Sequence, residues 1–149
     1  MAAQSQYEEL TRQLGALGVV KRGLARNLPH QCQAGSAVVL SLLHRHGEMR
    51  LSRLAELLSL DMSVTSRHVA HLAERGWLDR QPDPVDKRSR LLRINADGES
   101  VLRDISDRYA ATLAEALHDW SDEDVGLLIE LLDRLRAGFD DCRPARTAP

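Results

Sequence analysis

The run Asp83-Pro84-Val85-Asp86-Lys87-Arg88-Ser89-Arg90 is the feature that most constrains how this chain can fold. It sits between two short apolar runs, Trp77-Leu78 and Leu91-Leu92. Turn formers with strand-like flanks predict a β-hairpin, here spanning Trp77 to Ile94. Its tip carries Lys87, Arg88 and Arg90. Guanidinium groups on a projecting ribbon suit phosphates or a narrow minor groove. Most charged hairpin tips are simply solvated, so the weight of this one depends on what precedes it.

Ahead of the hairpin lies a pattern of helices. Leu10, Leu14, Leu17 and Leu24 recur at helical spacing and predict a first helix from about Gln4 to Leu28, stopped by Pro29. A second, about Gln33 to Arg45, carries Ala37, Leu40, Leu43 and His44 on one side and ends at Gly47. Glu48 to Leu51 reads as a single strand or a turn. Ser52 is the expected cap of a short helix from Arg53 to Leu58, and Asp61 of another from about Met62 to Arg75, closed by Gly76. Two short helices joined by a tight turn make a helix-turn-helix pattern. After the hairpin, Asn95 is the expected cap of a long helix from about Ala96 to His118, striped by Leu102, Ile105, Tyr109, Leu113 and Leu117. Ser121 to Asp124 resembles a capping box that opens a last helix to Phe139, with Val125, Leu128, Leu132 and Leu135 on one face. Residues 141–149 are expected to be a disordered tail. The fold class is therefore mainly α with a small β-hairpin wing.

Composition agrees. The chain has 149 residues, 43% hydrophobic and only 3% aromatic, so a core of Leu, Val and Ala is required. No apolar run reaches the roughly 20 residues that span a bilayer. No secretory signal is visible at Met1 to Tyr7, and two cysteines make no disulfide framework, so a cytoplasmic location and no membrane partner are expected. The net charge of −2 hides an uneven distribution. Residues 45–93 hold ten Lys/Arg against seven Asp/Glu, whereas residues 97–141 hold four against thirteen. The middle attracts phosphate, and the acidic stretch is expected to face away from it.

On the helix from Met62, a 100° step per residue puts Thr65, Val69 and Leu72 on one side and Ser63, Arg67 and Ala70 opposite. Val64 and His71 flank that outward face on one edge and Ser66 on the other. Small residues allow close approach to a major groove, and an Arg can reach a guanine edge bidentately. A solvated helix face is the bland alternative, and the basic hairpin that follows weighs against it.

Here the sequence resembles the MarR (multiple antibiotic resistance regulator) family of winged helix-turn-helix transcription factors. The resemblance rests on Leu54-Ala55-Glu56-Leu57, on Ser63 to Val69 with Leu72 and Glu74-Arg75-Gly76, on the run from Asp83 to Arg90, and on Leu92 to Gly98. It implies one domain over residues 1–140. Residues 34–95 would be the DNA-binding module, and residues 4–30 and 96–140 the dimerisation helices. It implies a homodimeric repressor of a pseudo-palindromic operator in double-stranded DNA, released by a small-molecule effector, with no cofactor. Ser63, Val64, Ser66, Arg67 and His68 would meet bases or groove. Arg88 would enter a minor groove, Lys87, Arg90 and Arg53 would hold the backbone, and Asp86 would brace the wing by pairing with a nearby Arg. Val64-Thr65 stands where the family often reads Thr-Val, which points a hydroxyl toward the core and an apolar side chain outward.

Other chemistry is weaker. His30-Gln31-Cys32 offers half of a metal site or a thiol sensor without visible partners, and a DNA-linked sensor using Cys32 is the alternative function. A winged helix used only for protein contact is the third reading. No metal site is expected. Ser63, Ser66, His68 and His71 lack the orienting group and pocket that a catalytic pair needs, so an enzyme is not expected. Trp77, Tyr109 and Trp120 are expected in the core or lining an effector pocket.

Overall fold

Leucine spacing sets the helices of this chain, and glycines set several of their interruptions. The computed structural model describes residues 1–141. The single first helix expected from the sequence is two, α1 (Gln4–Ala16) and α2 (Gly18–Ala25). The break falls at Leu17, whose N–H turns back to the Leu14 carbonyl at 3.3 Å. Gly15 and Gly18 flank it, and each glycine costs a helix about 1 kcal/mol relative to alanine.

The elements that follow are α3 (Ala34–His46), β1 (Met49–Arg50), α4 (Leu51–Leu58), α5 (Met62–Glu74), β2 (Leu78–Pro82), β3 (Arg90–Ile94) and α6 (Ala96–Ala116). The last is α7 (Asp122–Asp141), so Asp141 ends a helix instead of opening the tail. Residues 142–149, expected as tail, lie outside the described residues. Packing divides the chain into two bodies, Met1–Leu113 and the part from Ala114 onward.

The core of the first body is the winged module. Val39, Leu40, Leu43, Leu54 and Leu72 are essentially inaccessible, with Val69, Leu78, Leu92 and Ile105 around them. Truncating such a leucine costs about 2–5 kcal/mol, because the cavity left behind relaxes only partly. His44, read with the α3 core stripe, is exposed instead and pairs with Glu99 of α6 at 2.8 Å. Gly47 closes α3 at φ +78°, a left-handed backbone that other residues resist.

The expected hairpin forms, and the ambiguous stretch before α4 adds an edge strand, giving an antiparallel sheet of order β1-β3-β2. Met49 pairs with Leu92, and Leu78, Asp79 and Arg80 pair with Ile94, Arg93 and Leu92. Ser52 does not cap α4. Arg50, extended in β1, leads directly into the helix at Leu51 and leaves Ser52 in its first turn. Asp61 holds the cap position of α5 without a side-chain hydrogen bond.

Asn95 does cap α6: its Oδ1 accepts the Gly98 N–H at 2.9 Å. Its amide nitrogen donates to the Gly76 carbonyl at 2.8 Å. A Cβ on Gly98 would lie 2.0 Å from the Trp77 carbonyl oxygen, so only glycine lets α6 start against the hairpin. In the second body, Ser121 and Asp124 cap α7 reciprocally, with Asp124 N–H donating to Ser121 Oγ at 3.1 Å and Ser121 N–H to Asp124 Oδ2 at 3.3 Å. Among the described residues, no helix is long and apolar enough to cross a membrane.

Candidate nucleic-acid interface

Helix α5 divides as its periodicity requires. Thr65, Val69 and Leu72 are buried. The hydroxyl that Thr65 carries into the core is satisfied locally by donating to the Asp61 carbonyl at 3.0 Å. Ser63, Ser66 and Arg67 are exposed on the opposite side, and Val64 is half-buried at its edge. His68 is a correction. A Cβ on Gly35 would come within 2.3 Å of its ring, so the imidazole packs on the start of α3 instead of joining the outward face. His71 likewise turns to the chain before α3, with Nε2 3.1 Å from the Gln31 carbonyl.

Strand alternation places the wing cations. Leu78, Arg80 and Pro82 face the same side as Ile94, Leu92 and Arg90, their cross-strand partners. Arg80 and Arg90 therefore project beside the apolar Leu92, while Asp79 and Arg93 share the other side and approach to 3.8 Å. Between this face and α5 lies a cleft of about 410 Å³, where Ser66 of α5 meets Arg50, Arg80, Arg88 and Arg90. The structure thus gathers Ser66, Arg88 and Arg90 from the sequence-predicted set. Ser63, Val64, Arg67, Lys87 and Arg53 do not line the cleft. Arg53 is engaged with Glu56 at 3.3 Å on the surface of α4. Among the described residues, the side chains of Arg67, Arg80, Lys87, Arg88 and Arg90 make no ion pair.

Sequence reading missed Arg50 and Arg80. Alternation from buried Leu78 points to Arg80, but Arg50 is found only through contacts distant in sequence. It is also the guanidinium of the wing brace, and the carboxylate it meets is not Asp86. Arg50 Nε donates to Asp83 Oδ2 at 2.6 Å. Asp86 instead holds the tip from within, accepting Arg88 N–H at 3.0 Å and the Ser89 hydroxyl at 3.3 Å. Asp83 is buried, and its carboxyl lies below the usual carboxylate range, chiefly because it accepts the Val85 N–H and then because Arg50 faces it.

The remaining candidates fall elsewhere. Cys32 is 7% exposed, and burial pushes its thiol up, the opposite of the accessible thiolate that a sensor requires. Trp77 is buried and Tyr109 half-buried in contact with the core, where desolvation raises the Tyr109 hydroxyl, whereas Trp120 is 45% exposed. Trp77 also borders a second cavity of about 600 Å³, lined by Arg26, His30, Gln31, Val101 and Arg108 among others.

The chain is similar to known proteins in sequence and in fold. The sequence model of the MarR family matches residues 34–89, the helix-turn-helix and wing. YxaD of Bacillus subtilis, an uncharacterized HTH-type transcriptional regulator, is 30% identical over 109 residues, covering 73% of this chain and 76% of that protein. The chain belongs to the MarR family. It is a transcriptional regulator of that family with its winged helix-turn-helix fold. Among solved structures, apo MarR of E. coli superposes with a TM-score of 0.76 at 24% identity, covering 85% of this chain and 95% of that one. A cysteine-to-serine mutant of E. coli MarR, complexed with operator DNA, gives a TM-score of 0.68 at 22% identity over 91% and 99%. The likeness in fold thus reaches well beyond the 34–89 segment.

Proposed function

We propose that this MarR-family chain represses transcription by binding a pseudo-palindromic operator as a homodimer, and that a small molecule releases it. The observation that carries the reading is the arginine-lined cleft joining the small, polar face of α5 to the wing. A helix with Ser63 and Ser66 near its start can approach a major groove closely, with Val64 against a thymine methyl and Arg67 reaching a guanine. Arg88, whose N–H donates to Asp86, would enter the adjacent minor groove, and Lys87, Arg90 and Arg80 would add sequence-blind attraction. That a MarR relative of the same fold has been crystallised with operator DNA supports the assignment.

Residues 34–95 would then act as the DNA-binding module, with 4–30 and 96–140 joining two copies. Exposed Leu10, Leu14 and Leu17 of the N-terminal helices, and Leu128, Leu132 and Phe139 of α7, support a second copy as their cover. The cavity beside Trp77 offers an effector the room of a small-molecule site, and a ligand favouring one separation of the two recognition helices would bias DNA release. Selection of bound duplexes from a random-sequence pool tests the reading. A two-fold consensus with half-sites about 10 bp apart, or a multiple of that, is expected. Arg67→Ala should cost about 1–3 kcal/mol at one base pair of that consensus. Salt-insensitive binding, or none, would favour a protein-contact module instead.

A further inference from the structure

The wing tip, residues 83–89, is tied to itself by several hydrogen bonds. Asp83 N–H donates to the Ser89 carbonyl at 3.0 Å. Asp83 Oδ1 takes the Val85 N–H at 2.9 Å, and Asp86 takes the Arg88 N–H at 3.0 Å. These bonds shape the loop but do not aim it. Among the described residues, the ion pair that links it to a separate element is Arg50–Asp83. Arg50 ends β1, where its backbone pairs with Leu91 of β3, so its guanidinium crosses the central strand to reach the loop beyond the far end of β2. The Asp83 side chain is 5% exposed and that of Arg50 43%, so a buried carboxylate is neutralised from the solvent edge. Removing the cation would leave that carboxylate buried without its counter-ion and free the loop to swing.

We propose that Arg50 is a positioning residue for DNA binding, acting through Asp83 to aim the wing so that Arg88 reaches its groove. This rests on the DNA-binding reading above. Arg50 also borders the cleft that Arg88 borders, so a direct phosphate contact is the rival role. The two differ in their coupling and in their salt dependence.

The test measures fluorescence-anisotropy titrations of a labelled duplex recovered from a random pool by the wild-type chain. Arg50→Met should weaken binding about tenfold, within the range of coupled contacts. Because a mis-aimed wing also withdraws Arg88, the slope of log affinity against log salt is compared in the Arg88→Ala background, where Arg50→Met should leave it unchanged. In that background Arg50→Met should weaken binding little further, because a mis-aimed wing matters only through Arg88. Arg50→Lys, which keeps the charge but lacks the Nε donor and the planar fork, should lie between wild type and Arg50→Met, and it serves if the methionine variant folds poorly. Wild-type affinity in both Arg50 variants would overturn the proposal. So would a loss that adds fully to Arg88→Ala, or a salt slope reduced by about one more in that background. A wild-type chain that recovers no duplex would remove the DNA-binding reading and this role with it.

Discussion

The winged module and the outer helices use similar amounts of leucine to opposite effect. In α3, α4 and α5 the apolar stripes close on one another, leaving Leu40, Leu54 and Leu72 without measurable exposure. In α1 no residue is buried, and Leu10 and Leu14 stay about 40% exposed (43% and 39%). Along α7, Leu127, Ile129, Leu131 and Leu132 are likewise exposed. An amphipathic stripe specifies that something must cover it, not what does. The module takes most of its cover from three short helices and a sheet, with Ile105 of α6 closing the rest. Among the described residues, α1 and α7 carry stripes that stay exposed, and a second copy is the complement we propose.

Four measurements can break or sharpen this contrast. The largest effect is expected from Leu72→Ala, which should cost about 2–5 kcal/mol in urea unfolding with an unchanged slope. A loss below about 1 kcal/mol would mean that the module core is less tightly closed than its burial indicates. Next comes Gly98→Ala. With the Trp77 carbonyl where a Cβ would sit, the start of α6 must shift, at about 1–3 kcal/mol. A neutral result would show that α6 is not pinned to the hairpin.

The third prediction is a pH dependence. Val85 N–H and Arg50 hold the folded Asp83 carboxyl below its ordinary value. Its stabilising contribution is therefore present above the unfolded carboxylate pKa of about 3.9 and lost as pH falls through the lowered folded value. Asp83→Asn should flatten the acid limb of the stability profile, and an acid limb parallel to wild type would count against the brace. The smallest effect on the dilute chain is expected from Leu132→Ser in α7, within about 0.5 kcal/mol in unfolding. The same change should weaken self-association in sedimentation equilibrium. A loss of several kcal/mol at high dilution would mean that this face is covered within one chain, and the contrast would fail.

Legibility followed the range of the interaction. Asn95, the Ser121–Asp124 box, the Gly47 and Gly76 stops and the buried side of α5 were readable because each depends on residues within about one helical turn. The α1–α2 break was within the same reach, since Gly15 and Gly18 announce it, but the leucine spacing runs straight through it and outweighed them. Reading failed where a distant residue decided. Ser52 reads as a cap until β1 carries Arg50 directly into α4. His68 lies at an angle on α5 that periodicity leaves ambiguous, and the missing side chain of Gly35 lets its ring pack on α3. Asp86 and Asp83 are the same residue type three positions apart, and nothing local tells which meets a guanidinium.

By itself, then, the sequence determined the helices beyond the α1–α2 break, the hairpin, the two faces of α5 and the family, because periodicity, capping and turn chemistry act over a few residues. Tertiary structure alone decided which cations share a cleft and which carboxylate braces the wing. Arg50 and Asp83 lie 33 positions apart, and only the β1-β3-β2 order brings them together.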